Sequence, residues 1–190
     1  AACLALIRKA GLEKEIKLNI EVNHATLSGH NFEHEIGYAV SNDALGSIDI
    51  NRGDTLLGWD TDQFPNNAHD LLMAFYYIFS NGGLKQGGLN FDAKIRRQSI
   101  DPEDLFYAHI GGMDVAARVL LAVEKMINDK ILPKYVDDRY SNWNNELGTF
   151  IHDKNNDLES IASKVINENL EPKPKSGQQE LLENILNKYL

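Results

Sequence analysis

Cysteine is almost missing from this chain. Cys3 stands alone among 190 residues, which excludes an intramolecular disulfide and fits a reducing, cytoplasmic location. Basic charge is also short: 19 Lys and Arg stand against 28 Asp and Glu, a formal net charge of −9. That balance argues against a nucleic-acid partner, which would need cations to neutralise phosphates. It suits a protein that binds cations itself. No apolar run approaches the ~20 residues of a bilayer span, and no signal peptide opens the chain, so no membrane partner is expected. There is no opening Met either. "AACLALIRKAGL" starts inside what reads as an amphipathic helix, which is expected of a cut end. What is present is a globular composition, 43% hydrophobic, with enough length for one good core or one and a half.

The first hundred residues alternate helix and strand. Leu4, Ile7 and Arg8 lie at helical spacing over 1–10, and Gly11 is placed to cap that helix. A strand is expected over Lys17–Glu21 and a helix from about Gly29, with Phe32, Ile36 and Val40 on one face and Gly46 closing the unit. Ser47–Ile50 reads as a second strand, Ala68–Phe79 as a helix stopped by Gly82 and Gly83, and Gly88–Asp92 as a third strand. Such alternation predicts parallel α/β units. After residue 100 the strands vanish. Asp101-Pro102 starts a long helix to about Asp129, followed by helices near Pro133–Trp143, Leu158–Leu170 and a last one carrying Leu181, Leu182, Ile185, Leu186 and Tyr189. "EPKPKSG" links the last two. The helical tail is expected to pack on a neighbouring subunit.

Each expected strand ends in a carboxylate: Ile20-Glu21, Ile48-Asp49 and Phe91-Asp92. Ligands of parallel α/β proteins bind at that end of the sheet. Three clustered carboxylates in a partly dry site raise one another's pKa, and a divalent cation removes the conflict. His24, three residues after Glu21, can add an imidazole, and "WDTD" places Asp60 and Asp62 one residue apart on a loop. One Glu, one His and four Asp exceed what a single ion with retained waters takes, so two ions sharing a ligand are expected. Caps, turns and surface charge are the alternative reading of each acid taken singly.

"KLNIEVNHATLSGHNFEHEI", "GSIDINRGD", "LLGWDTDQFP", "GGLNFDAKIRR", "DPEDLFYAHIGGMD" and "SGQQELLENIL" together resemble xylose isomerase along essentially the whole chain. The resemblance implies an α/β fold that is a partial (β/α)8 TIM barrel, its last three β/α units, followed by an all-helical C-terminal arm. Residues 1–100 would be the barrel part with the metal ligands, and 101–190 the last barrel helix and an oligomerisation arm. It implies two divalent cations (Mg²⁺, Mn²⁺ or Co²⁺), with Glu21 bridging both, Asp49 and Asp92 on the structural, sugar-orienting ion, and His24, Asp60 and Asp62 on the other. Glu21, Asp49 and Asp92 would also face the sugar. The implied reaction interconverts D-xylose and D-xylulose by a metal-assisted hydride shift, in a homo-oligomer that is a tetramer in the family. A complete barrel needs about 250 residues. The ring-opening His and its Asp partner and the strand-five Glu ligand would lie in an N-terminal part that this chain lacks, so no catalytic residue is assigned here. "EPKP" at Glu171–Pro174 lacks the strand context of that missing motif. An inactive self-associating fragment, or another divalent-metal barrel isomerase of sugars, are the alternative functions.

"HNFEH" at His30–His34 fits an inverted zinc-protease signature but has no downstream Glu, so ordinary helix residues at the barrel rim are expected. His69, His109 and His152 are expected at the surface or in helix packing. Trp59 is read as pinning its loop rather than lining a pocket. Lys94, Arg96 and Arg97 are expected to neutralise nearby acids, and Asn23 to hold a loop or orient a ligand. Arg52 and Asp54 are either a pair or solvated charges.

Overall fold

The computed structural model describes residues 1–190. It contains two compact units, Ala1–Asn128 with Tyr189–Leu190, and Asp129–Lys188.

The first unit is α/β. Helix α1 (Ala2–Lys9) precedes β1 (Leu18–Glu21); α2 (Val22–Leu27) and α3 (Phe32–Ser41) lead to β2 (Leu45–Asp49); α4 (His69–Ser80) leads to β3 (Leu89–Asn90); and α5 (Pro102–Asp129) follows. The strands form one parallel sheet in the order β1-β2-β3. Ile20, Ile48 and Leu89 stand in register, as do Glu21, Asp49 and Asn90. Because strand side chains alternate in direction, these two rows face opposite sides of the sheet. Ile48 is fully buried, while Ile20 and Leu89 are half-buried. The core lies under β2, where α3 contributes Phe32, Ile36 and Ala39, and α4 contributes Leu71, Leu72, Ala74, Phe75, Tyr76 and Ile78.

Three local expectations are corrected. Val22–Leu27 is helical, where the sequence suggested only a strand running into a loop. Gly46 does not close a helical unit; it lies inside β2, where the register with β1 shifts by a residue. A Cβ there would come within 2.9 Å of the Lys17 Cβ, and one on Gly87 within 1.8 Å of the Gly46 carbonyl oxygen. Two glycines thus let the strands approach at their entry ends. The third strand is only Leu89–Asn90, so Phe91 and Asp92 lie beyond it.

Helix α5 corrects a fourth. It is long and apolar enough to cross a membrane by length and composition. Its buried residues recur along one face, at Gly112, Ala116, Val119, Val123 and Met126, as in a helix that covers a core. Phe91 packs under it, within 2.9 Å of where a Gly112 Cβ would stand. Phe64, Phe91 and His109 form one aromatic cluster, with centroids 4.7 to 5.9 Å apart.

The second unit is helical throughout: α6 (Ile131–Arg139), a 3₁₀ turn (Ser141–Asn144), α7 (Glu146–His152), α8 (Leu158–Asn167) and α9 (Gln179–Asn187). Helix α7 has no counterpart in the sequence reading. Capping is explicit here. Asn145 accepts from the Gly148 N–H, and Asp157 and Ser160 form a reciprocal capping box. None of α6, α8 or α9 has a fully buried residue.

Candidate metal centre

The sheet places Glu21 and Asp49 side by side at its C-terminal edge, 8% and 6% exposed. The partner across from Asp49 on β3 is Asn90, not an acid. Asp92 comes two residues later, exposed and at φ +40°, and the chain turns there so that its carboxylate returns to the other two. One oxygen from each of Glu21, Asp49 and Asp92 lies within 4.8 Å of the others.

Glu21 also belongs to a second cluster. It ends β1, and α2 starts at the next residue, so His24 stands one helical turn further on. The His24 Nδ1 is 3.1 Å from Glu21 Oε2, and its Nε2 is 3.0 Å from Asp60 Oδ2. Glu21, His24 and Asp60 likewise present ligand atoms within 4.8 Å of one another. Asp62 shares the Asn23 side-chain amide with Asp60 and is paired with Lys94 at 2.7 Å. All six residues expected as ligands therefore lie in one neighbourhood, with Glu21 common to both clusters.

The electrostatics match the crowding. Burial pushes the Glu21 carboxyl above its ordinary value, helped by Asp60 and Asp92, and the Asn51 and His24 contacts do not offset it. Burial and Asp62 likewise push Asp60 up. For Asp62, burial acts upward but the Lys94 hydrogen bond prevails and holds the group low. Lys94 thus acts as the neutralising cation expected of it.

Two asparagines stand behind these acids: Asn23, expected to hold a loop or orient a ligand, and Asn51, to which the sequence pointed no role. Asn51 is 1% exposed. Its Nδ2 donates to Glu21 Oε1 at 2.7 Å and to the Asp92 carbonyl at 3.0 Å, and lies 3.5 Å from Asp62 Oδ1. Its Oδ1 accepts the Asn23 backbone N–H at 3.0 Å. Asn23 is fully buried, and its Nδ2 donates to Asp60 and, at 3.4 Å, to Asp62. The Asn23 Oδ1 has no hydrogen-bond partner and points at Gly53, where a Cβ would sit 1.7 Å away. Asp49 in turn accepts from Asn19 and Asn90 on the flanking strands. The signal for Asn51 was its place two residues after Asp49, on the same side of an extending strand; a search for charged ligands passes over it.

Oxygen-rich surroundings with one imidazole suit Mg²⁺, Mn²⁺ or Co²⁺. At ~2.1 Å ligand distances, opposite ligands of an octahedral ion stand about 4.2 Å apart. Ligand atoms within 4.8 Å of one another are compatible with such an ion after small side-chain adjustments, so the residues present fit two divalent cations.

The remaining candidates fall elsewhere. Trp59 is 59% exposed and does not pin its loop; Leu56 and Leu57 beside it are exposed too. Arg52 donates to the Phe64 carbonyl and Asp54 accepts from the Leu56 N–H, so they do not pair with each other. His109 packs on Phe64, His152 on Trp143, and His69 is exposed. His30 precedes the α3 cap Asn31, so it and His34 do not share a helix face. Both Nδ1 atoms approach Glu35 Oε1, at 2.5 and 3.2 Å, and the Glu33 of the signature is not part of that cluster.

Comparison with known proteins agrees with the resemblance seen in the sequence. The XylA2 C-terminal domain family matches residues 136–190. A protein of Actinobacillus succinogenes named xylose isomerase is 56% identical over all 190 residues, and one of Haemophilus influenzae with the same name is 54% identical over the same span. A third, from Chelativorans sp., is 54% identical over 184 residues, 97% of this chain. The chain spans 43%, 43% and 42% of these three proteins. Along its whole length it matches the C-terminal part of xylose isomerases.

Proposed function

We propose that this chain is the metal-carrying C-terminal part of a cytoplasmic xylose isomerase, which interconverts D-xylose and D-xylulose once the N-terminal part is joined to it. The observation that carries this reading is Glu21, which sits in both ligand clusters of a chain more than half identical to proteins of that name. The three parallel strands are then the last three of a (β/α)8 barrel, with 1–100 in the barrel and 101–190 as last helix and oligomerisation arm. Strands β1 and β3 each have one neighbour, which suits a sheet continued by further strands. The exposed Leu56, Leu57 and Trp59 beside Asp60 suit cover by the same missing part. A tetramer is the expected assembly.

When bound, the two cations polarise the sugar's oxygens and stabilise charge that develops on them. Each residue here has a holding role. Glu21 serves both ions. Asp49 and Asp92 hold the ion that orients the sugar, and Glu21 with them faces it. His24, Asp60 and Asp62 hold the other, while Lys94 limits repulsion between the last two acids. Mg²⁺, Mn²⁺ and Co²⁺ all suit this donor set. No ring-opening His/Asp pair is assigned within these residues.

A xylose-to-xylulose assay with light scattering tests the reading. The purified chain should show no turnover and no monodisperse monomer, because exposed sheet edges invite pairing. Added N-terminal part should restore isomerisation. Turnover by this chain alone would overturn the assignment of essential chemistry to the missing part. Lack of activity with both parts assembled would favour the reading as an inactive, self-associating fragment.

A further inference from the structure

We infer that the buried pair Asn51 and Asn23 positions both ligand clusters and makes the two cation sites fill as one coupled unit, an inference that rests on the two-cation reading above. Asn51 is the only side chain seen to touch Glu21, the Asp92 backbone and the Asn23 backbone together. It fixes Glu21 Oε1, while Oε2 faces His24. One oxygen of the shared carboxylate is thereby held by Asn51, which also binds the Asp92 backbone, while the other faces His24. Asn23, hydrogen-bonded to Asn51 through its main chain, carries the same arrangement to Asp60 and Asp62.

The orphaned Asn23 Oδ1 supports this. A buried amide oxygen without a donor is costly. It is retained because the opposite end of the amide, Nδ2, faces two carboxylates. Gly53 provides the room for that orientation, since any Cβ would collide with the same oxygen. Neutral amides are suited to this place. They donate to carboxylates without supplying a positive charge that would compete with the ions, whereas Lys94 meets Asp62 from an exposed position outside the pair. Asn51 and Asn23 are positioning residues; they act through the acids they hold.

The test is titration of the metal-free complete assembly with Mn²⁺, read by calorimetry and by electron paramagnetic resonance. Wild type should take two Mn²⁺ with a spin-coupled pair signal. Asn51→Leu keeps the branched shape and removes the hydrogen bonds. It should weaken both ions by about 10- to 100-fold, the range for loss of an outer partner, and replace the pair signal by that of isolated ions. A merely structural defect would lower occupancy without uncoupling the ions that do bind. Gly53→Ala is the milder second variant and decides the matter if Asn51→Leu does not fold. It turns Asn23 away from Asp60 and Asp62 and, because the sites fill as one unit, should weaken both ions about tenfold; loss at one ion alone would overturn the coupling. Retention of both affinities within about twofold, an ordinary surface-substitution effect, together with an intact pair signal, would overturn the inference and leave the two-cation reading standing. Fewer than two Mn²⁺ in wild type would overturn both.

Discussion

Two regions of this molecule gather imidazole and carboxylate groups, one as a single local cluster and one as two clusters joined through Glu21, and they differ in kind. Glu21, Asp49, Asp92, His24 and Asp60 come from strands, a helix and a loop far apart in sequence. His30, His34 and Glu35 come from six consecutive residues. In the local cluster the two imidazoles converge on one oxygen, and their hydrogen bonds prevail over burial to hold Glu35 below its ordinary carboxylate value. That cluster is satisfied by its own members. In the joined clusters, burial and neighbouring acids hold Glu21 above its ordinary value, a conflict that a divalent cation would relieve. Closeness alone does not mark a cation site; unrelieved charge on a rigid frame does.

The sharpest break between the clusters should come from Glu21→Ala against His34→Ala. Losing Glu21 should cost Mn²⁺ affinity at both sites by more than the roughly 100-fold of an outer-partner loss, and should exceed the loss from Asp62→Ala, which serves one ion. His34→Ala should leave the titration unchanged. Equal losses for Glu21 and Asp62 would count against a shared ligand.

Gly87→Ala tests the frame rather than the ligands. Its Cβ would meet the Gly46 carbonyl, so β2 and β3 must separate. A stability loss of about 1–3 kcal/mol is expected in urea unfolding, with weaker Mn²⁺ binding because Asp92 follows β3. A smaller effect should come from Asn31→Ala, which deletes the α3 cap bond to the His34 N–H at 2.8 Å. It should cost about 1 kcal/mol and leave Mn²⁺ binding intact. Smallest is Glu35→Gln. A carboxyl held below its ordinary value adds stability at higher pH and loses it as pH falls through the folded-state pKa. The gap between wild type and Glu35→Gln should therefore be under about 1 kcal/mol at pH 7 and close as pH drops below the ordinary value of 4.5, as thermal melts across pH would record.

The acids were legible in the sequence because charge at the end of an apolar run is conspicuous. Ile20-Glu21 and Ile48-Asp49 announce both strand and site, and they stand in register as that pattern implies. Asp92 was legible as a participant but not in its placement, since its return depends on a left-handed turn beyond a two-residue strand. Helix α2 was hidden because Val22 continues the apolar character of β1, and nothing between Glu21 and Val22 resembles a breaker. Asn23, beside His24, was legible as holding a loop or orienting a ligand, but Asn51 was obscure for a different reason. An uncharged amide reads as loop chemistry until burial and its four polar neighbours are seen. In the second unit, short capped helices such as α7 lack a long apolar stripe, so their periodicity is weak.

The direct passage from β1 into α2 leaves no slack between Glu21 and His24. Inserting or deleting one residue there would swing His24 by about 100° around the helix axis and carry the imidazole off Asp60. The stretch from Asp54 to Trp59 is tied in a different way: exposed in this chain and bracketed by the paired residues Arg52 and Gln63, it is held by the part proposed to cover it. Insertions in an engineered library should therefore be purged between Glu21 and His24 whether or not that part is joined, and in the loop only when it is.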